Sequence, residues 1–137
     1  MDQLAIHLAL HGAIVLTISI IAGLCLYGAI LKKIKNEAAW HVVHAGGTVR
    51  GVMLIALAAI IQLPVLPLWQ LSTAVWLIIF FVWTSMLAMI LAAVTGDRGL
   101  GLSGSIANKL VYVLYGVGTV AIFPGCLLLI FGLYKAL

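Results

Sequence analysis

Four histidines and one arginine set deep in an apolar run carry most of the chemistry that this chain of 137 residues can offer. The imidazoles come as two pairs, His7 with His11 and His41 with His44. Imidazole nitrogens ligate transition metals and haem iron and exchange protons near neutral pH. Spacings of four and three residues put each pair on one face of a helix. The second pair sits in WHVVHAGGTVRG, residues 40–51, where three glycines and Arg50 interrupt an otherwise apolar stretch. From His44, the positions three, four and seven residues on are Gly47, Thr48 and Gly51, all small, and Trp40 lies one turn before it. Small residues beside a histidine allow close helix packing of the Gly-xxx-Gly kind. They equally leave room for a flat macrocycle lying against the helix with His44 as its axial ligand. Spacing alone leaves both uses open.

Arg50 adds a second constraint. It lies about eight residues inside its apolar block, so its guanidinium starts roughly 12 Å below the membrane surface. Placing it there costs about 2.5–3.5 kcal/mol on insertion scales, and such a residue faces a partner or a wet cavity. The acids of the chain are Asp2, Glu37 and Asp97, none of them within an apolar block. A bound anionic group, such as a haem propionate or an acidic substrate, is the partner this predicts. Snorkelling towards Glu37, Asp97 or a lipid phosphate is the alternative.

The elements that must position these residues follow from composition. Apolar residues make up 66% of the chain and charged ones 7%, against roughly 45–50% and 25% in soluble domains. They fall into four blocks, roughly residues 6–31, 41–66, 69–95 and 108–134, each long enough to cross a hydrocarbon core of ~30 Å. The expected fold is all-α: a single integral-membrane domain over residues 1–137, built as a bundle of four transmembrane helices. No cleavable signal peptide is expected, because the first block lacks a preceding basic region and is too long.

Connector one carries Lys32, Lys33 and Lys35, connector three carries Arg98 and Lys109, and connector two has no charge. The positive-inside bias therefore puts connectors one and three in the cytoplasm and both termini outside. A multi-pass protein of a bacterial inner membrane is the expected setting. The net charge of +4 is accounted for by this bias and by contact with anionic membrane lipid, with no nucleic acid required.

Pro64 and Pro67 end the second helix and turn the chain. Connector three, TGDRGLGLSGSIANK, reads as a surface loop or as a flap folding back over a pocket. Trp69, Trp76 and Trp83 recur every seven residues and form one stripe, with packing against helix or lipid favoured over cofactor contact. The antiparallel run of the first two helices separates His11 from His44 by roughly 28 Å along the membrane normal. The two pairs cannot share one metal or one haem iron within a protomer, and His7 and His11 read as interfacial. Cys25 and Cys126 differ in depth by ~18 Å, too far for a disulfide, and read as apolar fillers.

WHVVHAGGTVRGVMLIALA, followed about fifty residues on by WTSMLAMILAAVTGDRGL, resembles the small four-helix membrane isomerases typified by styrene oxide isomerase. The matching residues are Trp40, His44, Gly51, Met53, Trp83 and Arg98-Gly99-Leu100, with His11-Gly12 near the start. The resemblance implies a homotrimer with ferric haem b between protomers and His44 as the axial ligand of the iron. Trp40, Gly47, Thr48 and Gly51 would line the cofactor. It also implies an intramolecular isomerase that turns a small lipophilic epoxide into a carbonyl compound, with iron as Lewis acid.

The chain departs from the family pattern at three polar positions. Arg50 stands in place of an asparagine, and Phe81 and Met89 in place of an aspartate and a tyrosine. Phe81, Trp83 and Met89 are the substrate-pocket candidates. Arg50 is the catalytic candidate, as an oxyanion-stabilising donor or as the holder of an acidic group. Two other readings compete: a haem-binding electron carrier or gas sensor on the same scaffold, which needs a sixth ligand from His41 or a neighbour's side chain, and a haem-free helical subunit.

Overall fold

A computed structural model describes residues 2–137, from the backbone alone at Asp2. It consists of four helices: α1 over Asp2–Ile30, α2 over Glu37–Ile60, α3 over Leu68–Thr95 and α4 over Ile106–Tyr134. Each is long and apolar enough to cross a membrane. Large side chains such as Leu24, Val49, Val120 and Phe123 are exposed, which in a bilayer means facing lipid rather than water.

The helix ends have local causes. α2 begins four residues earlier than the apolar pattern predicts, because Asn36 adopts a left-handed backbone (φ 65°) and its carbonyl accepts from the amides of Ala39 and Trp40. The Asn36 side chain donates to the carbonyl of Ala93 at 3.0 Å, which ties connector one to the end of α3. α2 also ends earlier than predicted, at Ile60. Proline disfavours helix in the residue before it, and in Pro64-Val65-Leu66-Pro67 the amide of Val65 instead bonds to the carbonyl of Gly132 on α4. α3 stops at Gly96, which takes φ 84°. α4 starts where the Ser105 hydroxyl accepts from the amide of Asn108.

The arrangement is not a closed square. α1 packs along α2, both touch α3, and α4 packs against α3 alone; among the described residues no Cα of α4 comes within 8 Å of α1 or α2. α3 is therefore the central element, with 50% of its apolar stretch buried against 17% for α4. The core residues Leu8, Val15, Leu54, Ile78, Val82 and Met86 come from α1, α2 and α3, while α4 adds Leu129.

Candidate functional site

The seam between α1 and α2 is made by small residues meeting in antiparallel register. A Cβ on Gly51 would come 2.9 Å from the carbonyl oxygen of Gly12 and from the amide of Leu16, and one on Gly47 would strike the hydroxyl of Ser19. Of the two uses that spacing leaves open for Gly47 and Gly51, the structure takes up close packing: both are buried against α1, and the space beside them is filled by the protomer itself. The Thr48 hydroxyl turns back to its own helix and donates to the carbonyl of His44 at 2.7 Å.

At the next contact along this seam α1 presents Gly23, and the imidazole of His44 lies against it; a Cβ there would be 3.0 Å from Nδ1. His44 Nδ1 is 2.8 Å from the carbonyl oxygen of Ser19. A carbonyl can only accept, so Nδ1 carries a proton, and in the neutral ring Nε2 then keeps its lone pair. This is the tautomer of a metal-binding histidine, with the ring oriented by a backbone acceptor. The side chain is only partly buried. Sequence reasoning missed Ser19 and Gly23, although the run Gly12, Ser19, Gly23 on α1 repeats small residues at seven and four, a signal for this seam.

Trp40 packs against the core and its indole N–H is buried without an acceptor. His41 is exposed and borders a surface recess with Leu26, Ile30 and Glu37.

Arg50 occupies the other flank of α2. Its Nη1 donates to the carbonyl of Gly46 at 2.9 Å and lies 3.8 Å from Met89 Sδ. The guanidinium carbon stands 5.4 Å from the Phe81 ring centroid, a cation–π distance, and Tyr115 on α4 is its electrostatic neighbour. The Nε–H is buried with no partner. Neither acid considered for snorkelling meets it: Glu37 pairs with Lys32 at 3.0 Å, and Asp97 accepts from Ser105 at 2.6 Å. Glu37 is the first residue of α2 and Asp97 lies in connector three, while the Arg50 side chain is turned towards Phe81 and Met89 of α3. Arg50, Phe81 and Met89, which the sequence named as catalytic and pocket candidates, thus form one cluster.

Trp83 does not join it. Two residues beyond Phe81 it points about 200° away around the helix, and its indole donates to Nδ1 of His11 at 3.0 Å. Trp76 packs nearby, tilted against His7 and edge-on to His11, with ring centroids 5.1 and 6.0 Å away. His11 is therefore not a purely interfacial residue: α1 already begins at Asp2, which places His11 about 14 Å along the helix. The expected separation of the two histidine pairs also shrinks. His44 lies level with Ser19 and Gly23, so about 12–18 Å separates it from His11, still too far for a shared iron. Among the described residues no group of three or more His, Cys, Asp or Glu side chains is placed to hold a metal ion.

Connector three is more than a plain surface loop. Asn108 accepts from the amide of Gly99 at 2.9 Å and donates to the carbonyls of Gly101 and Ser103. The clamped loop places Gly96, Asp97 and Arg98 at the rim of a cavity of about 340 Å³ whose other walls include Ala39, Val42, Met89 and Tyr115. Cys25 and Cys126 are both free, and Cys126 is exposed rather than a buried filler.

The comparisons bear on the chain as a whole. No individual curated protein matches it. The sequence profile of styrene oxide isomerase matches residues 4–134, a span that takes in all four helices, the His44 seam and the Arg50 cluster, and on that match the chain belongs to the styrene oxide isomerase family.

Proposed function

We propose that the protein is a membrane-bound haem b isomerase that converts a small lipophilic epoxide into a carbonyl compound. The observation that carries this reading is the 2.8 Å contact of His44 Nδ1 with the Ser19 carbonyl, which in the neutral ring leaves Nε2 as the free nitrogen. A single imidazole with a free nitrogen, braced through the other by a backbone carbonyl, fits the axial ligand of a haem iron. When bound, ferric haem would supply the Lewis acid for the epoxide oxygen.

The chain's own work is to hold and orient. Gly23 gives the imidazole its place, the Ser19 carbonyl fixes the ring and strengthens Nε2 as a donor to metal, and Thr48 occupies the carbonyl of His44. The reaction moves no net electrons: a C–O bond of the epoxide opens, a hydride shifts to the neighbouring carbon, and the carbonyl forms. An apolar protein in a bilayer keeps water from the opening epoxide. His44 is partly exposed at the edge of the protomer, so a macrocycle bound there needs further cover. A neighbouring copy in a homotrimer is the cover proposed, with connectors one and three in the cytoplasm.

On the electron-carrier reading a sixth ligand would come from His41, exposed and one turn from His44 on the same helix, or from a neighbour's side chain, and the protein would show a six-coordinate low-spin ferric spectrum. The decisive test is the visible spectrum of protein purified in detergent after haem-replete expression, wild type beside His44→Ala, together with product analysis on lipophilic epoxides. The expected results are a Soret band lost in His44→Ala and aldehyde formation without added reductant. No Soret band in the wild type would leave the haem-free reading, and a band intact in His44→Ala would remove the ligand assignment.

A further inference from the structure

We propose that the cleft between α2 and α4 is a binding site for a lipophilic carboxylate, whose anionic head is taken by Arg50 and whose apolar body lies along the cleft. The inference goes beyond the isomerase reading and does not depend on it.

The cleft exists because α2 and α4 each pack on α3 and not on each other. Its cytoplasmic end holds the cavity of about 340 Å³, with Ala39 and Val42 on α2, Met89 and Ala92 on α3 and Tyr115 on α4. Its other end holds a wholly apolar cavity of about 240 Å³ between Leu57 and Ile60 on α2 and Cys126, Leu129 and Ile130 on α4. Arg50 stands between them, eight residues beyond Val42 and seven before Leu57, with Met89 and Tyr115 joining its guanidinium to the first cavity.

The charge of Arg50 is not answered inside the protein. Its one hydrogen bond to an oxygen goes to a carbonyl of its own helix, its Nε–H is buried and unmade, and the one ion pair among the described residues is Lys32–Glu37 at the surface. A guanidinium so placed calls for an anion that can enter an apolar cleft. Its fork matches a carboxylate in two parallel hydrogen bonds, and Tyr115, its electrostatic neighbour, lines the adjoining cavity. A phospholipid phosphate is the poorer candidate, because its head group belongs at the interface and Arg50 lies near the middle of α2. A carboxylic acid with one apolar body can cross as the neutral acid and ionise against the guanidinium.

The test uses the full-length protein in lipid nanodiscs and two photoactivatable probes, a diazirine-bearing dodecanoic acid and its methyl ester, with crosslinked peptides mapped by mass spectrometry. The acid is expected to label α2 and α4 at least about tenfold more than the ester, the ratio set by one charge-assisted interaction of ordinary strength. Unlabelled dodecanoic acid should compete and methyl dodecanoate should not. Labelling should fall to the ester's level in Arg50→Gln and survive in part in Arg50→Lys. Equal labelling by acid and ester in the wild type would overturn the proposal, and this arm stands even where a variant fails to fold. Labelling of the cleft by a diazirine phospholipid that depends on Arg50 and resists the free acid would overturn it too, in favour of a bound lipid.

Discussion

A single hydrogen bond decides what His44 can do. With Nδ1 committed to the Ser19 carbonyl, the outward nitrogen is an electron-pair donor, and the bond depends on Gly23 leaving room for the ring. Gly23→Ala places a Cβ 3.0 Å from Nδ1 and 3.1 Å from Cε1, so the imidazole must tilt and its bond lengthen. On the haem reading, this variant is expected to lose about 10- to 100-fold in cofactor affinity, as other changes behind a metal-binding histidine do. Haem retained per protein through dialysis checks it, and retention equal to wild type would show that the ring position is set elsewhere. At the other histidine pair, Trp83→Phe removes the N–H that His11 accepts at 3.0 Å. That bond is expected to contribute about 1 kcal/mol, read as a lower thermal midpoint in detergent; an unchanged midpoint would mean that the bond adds nothing net. These residues differ in how far the sequence reveals them. His44 and Arg50 stand out because a polar residue in an apolar block costs free energy and needs a reason. Ser19 acts through its backbone carbonyl and Gly23 through the absence of a side chain, and neither leaves a mark in composition.

Between helices, the glycines separate into those under load and those that are free. Gly51→Ala would force its methyl group against the backbone of Gly12 and Leu16 and is expected to cost about 1–3 kcal/mol, the usual range for overpacking. Gly116 on α4 has nothing within 4 Å of where a Cβ would stand, so Gly116→Ala is expected to be neutral or to gain up to about 1 kcal/mol from helix propensity. Thermal unfolding of the two variants side by side reads the contrast, and equal midpoints would mean that the seam is looser than drawn. The existence of the four helices is legible in the sequence because hydrophobic length alone sets it. Helix ends and pairing are less so. The start of α2 depends on Asn36 adopting a left-handed backbone and reaching Ala93, 57 positions away, and a hydrophobic window cannot register such a contact. The Trp83–His11 pair escapes for the same reason, since α1 and α3 meet only once the register of each against α2 is set.

For the molecule as a whole, the distribution of Lys32, Lys33, Lys35, Arg98 and Lys109 predicts which ends face the cytoplasm. Ser103 is exposed at the tip of connector three. A Ser103→Cys variant lacking Cys25 and Cys126 is expected to react with a membrane-impermeant maleimide in inverted vesicles and not in intact cells; the reverse pattern would invert the topology. Family and fold class could be read from the chain, and the family profile extends over residues 4–134. The division of the site could not. His44 and Arg50 are six residues apart on one helix, yet one leans on α1 and the other on α3, and only the order in which helices pack around α2 assigns the sides. That order has a kinetic consequence. Because no Cα of α4 comes within 8 Å of α2, the carboxylate proposed for Arg50 would enter sideways from the lipid phase. Its occupancy would then follow its mole fraction in the bilayer, so adding empty vesicles at constant total ligand should weaken apparent binding by surface dilution, whereas enlarging the aqueous volume should barely change it.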